Sequence, residues 1–442
     1  MSPGRTPRRE PDWLALDRRH VWHPYTQMLT APGALPVVAA EGAWLTLGDG
    51  RRLLDGISSW WVTLHGHAHP RIAAAVAEQA RRLEQVIFAG FAHEPAARLA
   101  AELAARAPAG LERVFYSDDG STAVEVALKM TVQAWRQRGE PGRTLFVALE
   151  HAYHGDTFGA MAAGGQPLFH GAFEPLLFDV RRARVPVAEG EVAGCREELE
   201  ALLDRESGRI AAVIVEPIVQ AAGGMRIHPP SYLRAVREAT AARGIPLVAD
   251  EIFTGFGRTG RTFACEHAGI APDLMCVSKG LTGGFLPLAA TLASEEIFAA
   301  FLSEDRSRTF FHGHSYTANP IACAAALASL AVLDEEGGLE RVGELERLFR
   351  RRLDELAALP GVASVRGLGA LAVVELGARG YLDPRGGEVA RRMLERGVLL
   401  RPLGDVVYFL PPYCVTDREC EAVFDALAEV LAEVAGPDRG RG

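Results

Sequence analysis

Two lysines stand among the 47 basic residues of this 442-residue chain, and one of them, Lys279, sits where an apolar run opens into glycines. Arginine keeps its charge at any working pH, so only a lysine can supply a neutral amine nucleophile. Leu274-Met275-Cys276-Val277-Ser278 reads as a buried strand, and Gly280-Leu281-Thr282-Gly283-Gly284 follows it as a turn. An amine at that junction is placed for Schiff-base chemistry with a carbonyl. A purely structural lysine is the plain alternative. Lys129 lies in the amphipathic stretch 122–138 and reads as a solvated helix-face residue.

Asp250 closes another apolar run, 246–249. A buried carboxylate must have a partner. A pyridinium nitrogen is one candidate, because the acid would keep such a ring protonated and electron-withdrawing; a turn or helix cap is the other. Together, a strand-end lysine and a strand-end aspartate favour the cofactor. Ser117-Asp118-Asp119-Gly120-Ser121-Thr122 reads as strand end, glycine turn and helix start, which is the layout of a phosphate cradle. Ordinary capping by Asp119 or Ser121 would look the same. His151-Ala152-Tyr153-His154-Gly155-Asp156 puts an aromatic ring beyond a strand, where it can stack on a planar group.

Other motifs are weaker. The His/Asp spacing there, and His65-x-His67-x-His69, lack the frame and partner ligands of a metal site, so no metal is expected. Gly255-Phe256-Gly257-Arg258-Thr259-Gly260 matches a dinucleotide fingerprint in letters only, with no strand directly before it and no helix opening within it. Its Arg258 suits a loop facing an anionic or carboxylate group. Trp60-Trp61 is either core or a binding wall. Arg401, ending the apolar run 397–400, can fork a substrate carboxylate, or make a surface salt link.

These residues need a frame. Segments 114–117, 145–148, 211–215, 246–249 and 274–278 are apolar without alternation, as in a parallel sheet covered on both faces. Helical stretches 121–138, 194–206 and 230–243 lie between them. The pattern predicts an α/β doubly wound domain, whose ligands gather beyond the carboxyl ends of its strands. Ser117, Glu150, Glu216, Asp250 and Lys279 stand at those ends. After Asn319-Pro320 come two helices, 321–334 and 339–359, then 369–376, 387–396, 398–401, 406–410 and 417–435, which suggest a smaller α+β domain. The short runs of 25–57 are too few for a core of their own and are expected to pack with the C-terminal part. The expected division is 1–61 as an N-terminal segment packing with the small domain, 62–325 as the large domain and 326–442 as the small one. Residues 1–11 and 436–442 are expected to be disordered.

Composition narrows the function. Hydrophobic residues make up 48% and charged residues 23%, with a formal charge of -9. No basic stripe suits nucleic acid, and the acidic balance argues against an anionic membrane surface. The six cysteines form no CxxC pair and read as small core residues in a reducing compartment. With no apolar run of about 18 residues and no signal-peptide pattern, a cytoplasmic protein is expected.

In combination, Ile214-Val215-Glu216-Pro217, Ala249-Asp250-Glu251, the 255–260 segment and Ser278-Lys279-Gly280 make the chain resemble a known family over about residues 20–435. It is the class III aminotransferases of the fold-type I superfamily, which use pyridoxal 5'-phosphate (PLP) and pair a large doubly wound, mostly parallel sheet domain with a small α+β domain. The resemblance implies that Lys279 holds PLP covalently and carries the proton, and that Asp250 meets its ring nitrogen. It implies that Gly120 and Ser121 hold the phosphate from one subunit and Ser315 from the other of a homodimer with shared sites, and that Tyr153 stacks on the ring. Trp22-His23-Pro24-Tyr25-Thr26, Ser58-Ser59-Trp60-Trp61 and Arg401-Pro402 with Tyr408 to Tyr413 are similar to one branch of the family. That branch passes an amino group from S-adenosylmethionine to the ketone of 8-amino-7-oxononanoate in biotin biosynthesis; a lysine-using branch and other ω-amino-acid enzymes are the alternatives. On this likeness Tyr25, Trp60, Trp61, Tyr153, Arg258, Gly313 and Arg401 would wall the substrate site, with Tyr25 also a catalytic candidate. Arg401 would pair the far carboxylate, and Tyr408 would touch the adenosylmethionine. One departure stands out: where the family commonly has Gly-Pro-Thr, this chain has Gly313-His314-Ser315.

Overall fold

The computed structural model describes residues 12–377 and 379–434. The terminal stretches expected to be disordered lie outside the described residues. The large sheet has seven strands, in the spatial order Arg113–Ser117, Ala289–Ala293, Leu274–Val277, Leu247–Asp250, Ile210–Val215, Leu145–Leu149, Val180–Ala183. Ala289–Ala293 runs antiparallel to both neighbours, and the remaining adjacent pairs are parallel.

The unbroken apolar runs are explained by burial on both faces. Phe146, Ala148, Ile214, Val248 and Cys276 pack on one side with Val124, Ala127 and Leu128 of the helix Gly120–Gln137. Val147, Val213, Ala249 and Met275 face the other side, with Leu199 and Leu203 of Val192–Arg205 and Leu233 and Val236 of Pro230–Ala241. Neither face meets water, so neither needs polar alternation. Two strands of this sheet escape sequence reading. Ala289–Ala293 is rich in alanine, a poor strand former, and Val180–Ala183 is an edge strand carrying two arginines.

Val37–Glu41, Trp44–Leu47 and Arg52–Asp55 form an antiparallel meander, which Val398–Leu399 extends in parallel. The meander thus borrows a strand from the C-terminal part. Ser364–Leu368, Leu371–Glu375 and Val406–Phe409 make a further antiparallel sheet, packed on the helix Gly338–Ala357. The helix Pro320–Glu335 is continuous and packs on Pro70–Arg82 and Glu94–Arg106, so a border drawn at 325/326 would cut through it.

Candidate active site

Strand polarity brings Glu216, Asp250, Ser278 and Lys279 to one rim, where they line a cleft of about 670 Å³, and Asp118, just after Ser117 at its strand end, lines it too. Lys279 follows the strand Leu274–Val277 and opens a short turn at φ 48. That left-handed conformation costs a residue with a Cβ roughly 1–2 kcal/mol. Neighbouring contacts hold it: Ser278 Oγ donates to Leu288 O at 2.8 Å, and Thr282 Oγ1 to Leu286 O at 2.6 Å. The Lys279 amine makes no hydrogen bond or ion pair among the described residues; Nζ lies 4.7 Å from the Trp61 ring and 5.8 Å from that of Phe253. Burial pushes its pKa down to about 8, against the pull of Asp250 and Glu216.

Asp250, the last residue of its strand, is buried. His154 Nδ1 donates to its Oδ2 at 2.7 Å and the Ile252 N–H to its Oδ1 at 3.1 Å. The carboxylate still lines the cleft. Glu216 is buried close by and accepts the N–H groups of Tyr153 and Ala221, one on each oxygen, at 3.0 Å, and so fixes the loop that carries Tyr153. Burial, then the charge of Asp250, pushes the Glu216 carboxyl up to about 8, against those two contacts. Glu216→Gln puts an amide N–H against one of those N–H donors and should lower stability by about 1–3 kcal/mol. Denaturant unfolding reads this; an unchanged midpoint would rule the role out.

The helix Gly120–Gln137 points its N-terminus at the same cleft. Asp119 caps it, accepting from Thr122 N at 3.0 Å in a reciprocal capping box, a contact worth about 1 kcal/mol. Capping and cradle thus coexist. At Gly120 an added Cβ would meet Ile252 at 2.8 Å, and at Gly155 it would meet Ser121 Oγ at 2.3 Å, so both positions need glycine for backbone to come this close. The free first-turn N–H groups are ready for an anion. A cradle at one end, a buried aspartate at the other and a partnerless amine between them fit PLP.

Trp60 and Trp61 have different surroundings, and Trp61 is both buried and part of the cleft wall. Asp55 shapes their turn by accepting from Ile57 N, Ser59 N and Ser59 Oγ at 3.2, 2.7 and 3.1 Å. Trp61 is buried, lines the cleft and donates Nε1 to the Tyr408 hydroxyl at 2.9 Å. Trp60, Tyr25 and Arg401 do not line the cleft itself and sit beside it, next to Tyr153; Trp60 is half-buried beneath Arg401, whose Cζ lies 4.1 Å from its ring and 5.9 Å from that of Tyr25. Arg401 makes no ion pair or hydrogen bond among the described residues. Tyr25 donates to Asp156 Oδ2 at 2.5 Å, and its oxygen is 3.2 Å from that of Tyr153. Burial and the Asp156 contact push its pKa up to about 12, so near neutrality its phenol is a donor rather than a base.

Two expectations change, those for Arg258 and Tyr408. Arg258 is 1% exposed and does not wall the cleft. Its guanidinium donates to Pro411 O at 3.2 Å and to Trp61 O and Thr63 O at 3.3 Å each. It ties backbone segments together and makes no ion pair among the described residues, with Asp55 acting on it only at longer range. Tyr408 is buried behind Trp61 and does not line the cleft. Gly313 and Ser315 are exposed on a loop outside this chain's own cleft; Ser315 O accepts from Gln85 Nε2 at 2.8 Å. His314 Nδ1 lies 3.3 Å from Asp118 Oδ2, beside the cradle strand but without hydrogen-bond geometry. Sequence reading also missed His154 as the partner of Asp250, and Asp156 as that of Tyr25. Their only signal was adjacency to Tyr153. Glu216 ends an apolar run just as Asp250 does, and that signal was available.

A family model described as Aminotransferase class-III matches residues 28–431. Adenosylmethionine-8-amino-7-oxononanoate aminotransferase of Synechococcus elongatus is 51% identical, covering 94% of this chain and 99% of its own. The crystal structure of the protein of that name from Methanocaldococcus jannaschii superposes with a TM-score of 0.91 at 38% identity, covering 95% of this chain and 98% of that one. An amine transaminase from an uncultivated Pseudomonas species, solved in its PLP-bound form, gives 0.87 at 33% identity, covering 94% and 98%. A match of this extent, over a cleft that already fits the coenzyme, makes the chain a member of the class III aminotransferases, working through PLP.

Proposed function

We propose that this enzyme passes the amino group of S-adenosylmethionine to the ketone of 8-amino-7-oxononanoate, giving 7,8-diaminononanoate for biotin biosynthesis. Relatives with that name cover nearly the whole chain. The observation that carries the substrate reading is Arg401, a cation stacked on Trp60 and Tyr25 with no carboxylate of its own. It is free to fork the far carboxylate of the oxononanoate, while the flat rings accept two differently shaped substrates in turn.

When bound, PLP supplies a conjugated ring that takes up the electron pair left as a substrate Cα–H bond breaks. The chain supplies the rest. Gly120 and Ser121 would hold the phosphate, Asp250 the ring nitrogen, and Tyr153 the ring face. The Lys279 amine would be the base that moves the proton.

Arg401 and Arg258 should separate cleanly. Arg401→Ala should raise KM for the oxononanoate about 10- to 100-fold, the loss of one forked ion pair, and leave the melting midpoint nearly unchanged. Arg258→Ala should instead destabilise the fold by about 3 kcal/mol or more, because it opens a cavity and strands buried carbonyls. Steady-state kinetics beside thermal melts test this; equal effects of the two on KM would refute the assignment.

The active form is a homodimer in this reading. Ile87, Phe91, Phe311 and Tyr316 are exposed on loops joined by Gln85 and Asn319, and Ser315 lies on the same surface, from which in a dimer it would reach the phosphate of the second copy. The six unpaired cysteines suit a cytoplasmic setting. No helix among the described residues is long and apolar enough to cross a membrane.

The donor decides between branches. Holoenzyme mixed with S-adenosylmethionine should lose the visible absorption of its coenzyme, and holoenzyme mixed with lysine should not. The reverse result would move the chain to the lysine-using branch; no change with either would exclude both. Solved ω-transaminases are also close in fold, one from Pseudomonas jessenii at 28% identity with a TM-score of 0.91. If the chain shared their preference, Trp60→Ala would barely affect use of the oxononanoate.

A further inference from the structure

The loop of residues 153–160 touches both ends of the coenzyme site, and two different carboxylate groupings hold it. At the ring end, Glu216 accepts Tyr153 N–H and Asp250 accepts from His154. At the phosphate end a single side chain does the holding. Glu125, one turn into the cradle helix, accepts on Oε1 from Thr157 Oγ1 at 2.6 Å, Gly159 N at 2.6 Å and Ala160 N at 3.2 Å. Thr157 in turn donates its N–H to Ser121 Oγ at 3.0 Å, and the two hydroxyl oxygens are 2.8 Å apart. An added Cβ at Gly159 would lie 2.2 Å from Glu125 Oε2, so a side chain there would push the carboxylate aside.

Proton counting orders this chain of contacts. A carboxylate only accepts, so Thr157 commits its one hydroxyl proton to Glu125. In the contact between the two hydroxyls Ser121 is therefore the donor and Thr157 Oγ1 the acceptor. Ser121 keeps a proton that can turn from Thr157 to an incoming phosphate oxygen, while the Thr157 N–H keeps its oxygen in place.

We propose that Glu125 is a positioning residue for the coenzyme's phosphate, acting through Thr157 to fix the Ser121 hydroxyl in the cradle. The inference rests on the PLP assignment above. It assigns the phosphate end of the loop to Glu125 and the ring end to Glu216 and Asp250, so the two ends should respond to different substitutions.

The test compares two ligands on the full-length protein stripped of coenzyme: pyridoxal 5'-phosphate and pyridoxal, which lacks the phosphate. Binding is followed by absorbance. Glu125→Ala should weaken pyridoxal 5'-phosphate about 10- to 100-fold, as for one charge-assisted hydrogen bond, and change pyridoxal less than about threefold. Glu125→Gln keeps an acceptor oxygen of the same shape and should restore most of the affinity. Thr157→Val, which keeps the shape and deletes the hydroxyl, should reproduce the selective loss, and it serves if Glu125→Ala does not fold. Equal losses for both ligands, or a Gln variant as weak as Ala, would overturn the proposal. A wild-type protein that binds neither ligand at Lys279 would instead remove the PLP assignment itself.

Discussion

Lys279→Ala should leave almost no transamination, a fall of at least about 10⁴-fold, because in the proposed function one change removes both the covalent anchor and the group that moves the proton. The surroundings prepare the amine for both tasks. With its pKa pushed down to about 8 by burial, about a tenth of it is uncharged at pH 7, against fewer than about one in a thousand for an ordinary lysine. The sign follows directly. Below about 8 the uncharged fraction grows about tenfold per pH unit, and above it the fraction saturates. Covalent capture of PLP by the stripped enzyme should therefore climb toward about pH 8 and then level off. Borohydride treatment and peptide mapping should place the coenzyme's mass on Lys279. Lys129 is the internal control: it is exposed, with Nζ 2.8 Å from His312 Nδ1, and Lys129→Arg should retain full activity. Mass on Lys129, or capture that does not vary below pH 8, would end this account.

What could be read from the chain follows from what burial writes into it. A strand covered on both faces is apolar throughout, and its first polar residue marks the carboxyl end. That rule found Asp250 and Lys279 and set Glu216 beside them. It fails where burial leaves no such mark. Ala289–Ala293 is buried but made of small residues, and Val180–Ala183 is an edge. Side-chain partners are less legible still. His154 and Asp250 are distant in the chain, and only the parallel order of Leu145–Leu149, Ile210–Val215 and Leu247–Asp250 brings them together. Arg258 misled for a related reason. A glycine-rich loop with an arginine suggests an anion, yet Glu251 folds that loop inward by accepting the N–H groups of Ala264 and Cys265 at 2.9 and 2.8 Å. The guanidinium then meets carbonyls instead. Trp60-Trp61 could not be resolved because the left-handed turn at Ser58, Ser59 and Trp61 sends two identical side chains to different environments.

Asp250→Asn should be the second most damaging change, lowering kcat/KM about 10²- to 10³-fold with little effect on the fold. The argument turns on charge rather than shape. Asn fills the same volume, and its oxygen can still accept from His154 or from the Ile252 N–H, whose present distances are 2.7 and 3.1 Å. It cannot hold a pyridine nitrogen in its protonated form, because that requires a negative partner within a few ångströms in a site closed to water. Loss of one preorganised electrostatic contact of this kind costs about the stated factor. His154 sets the limit of the effect. It is buried, its Nε2 has no partner among the described residues, and its donation keeps the Asp250 carboxylate turned in one direction. His154→Ala should therefore act in the same sense but more weakly, by about tenfold, the value of one positioning hydrogen bond. A coenzyme analogue methylated on its ring nitrogen separates charge from shape, since its positive charge is fixed without any help from the protein. It should restore part of the rate to Asp250→Asn and add nothing to Lys279→Ala. If the analogue leaves Asp250→Asn as slow as before, the aspartate acts through geometry alone, and the electrostatic assignment of the strand-end acid is lost.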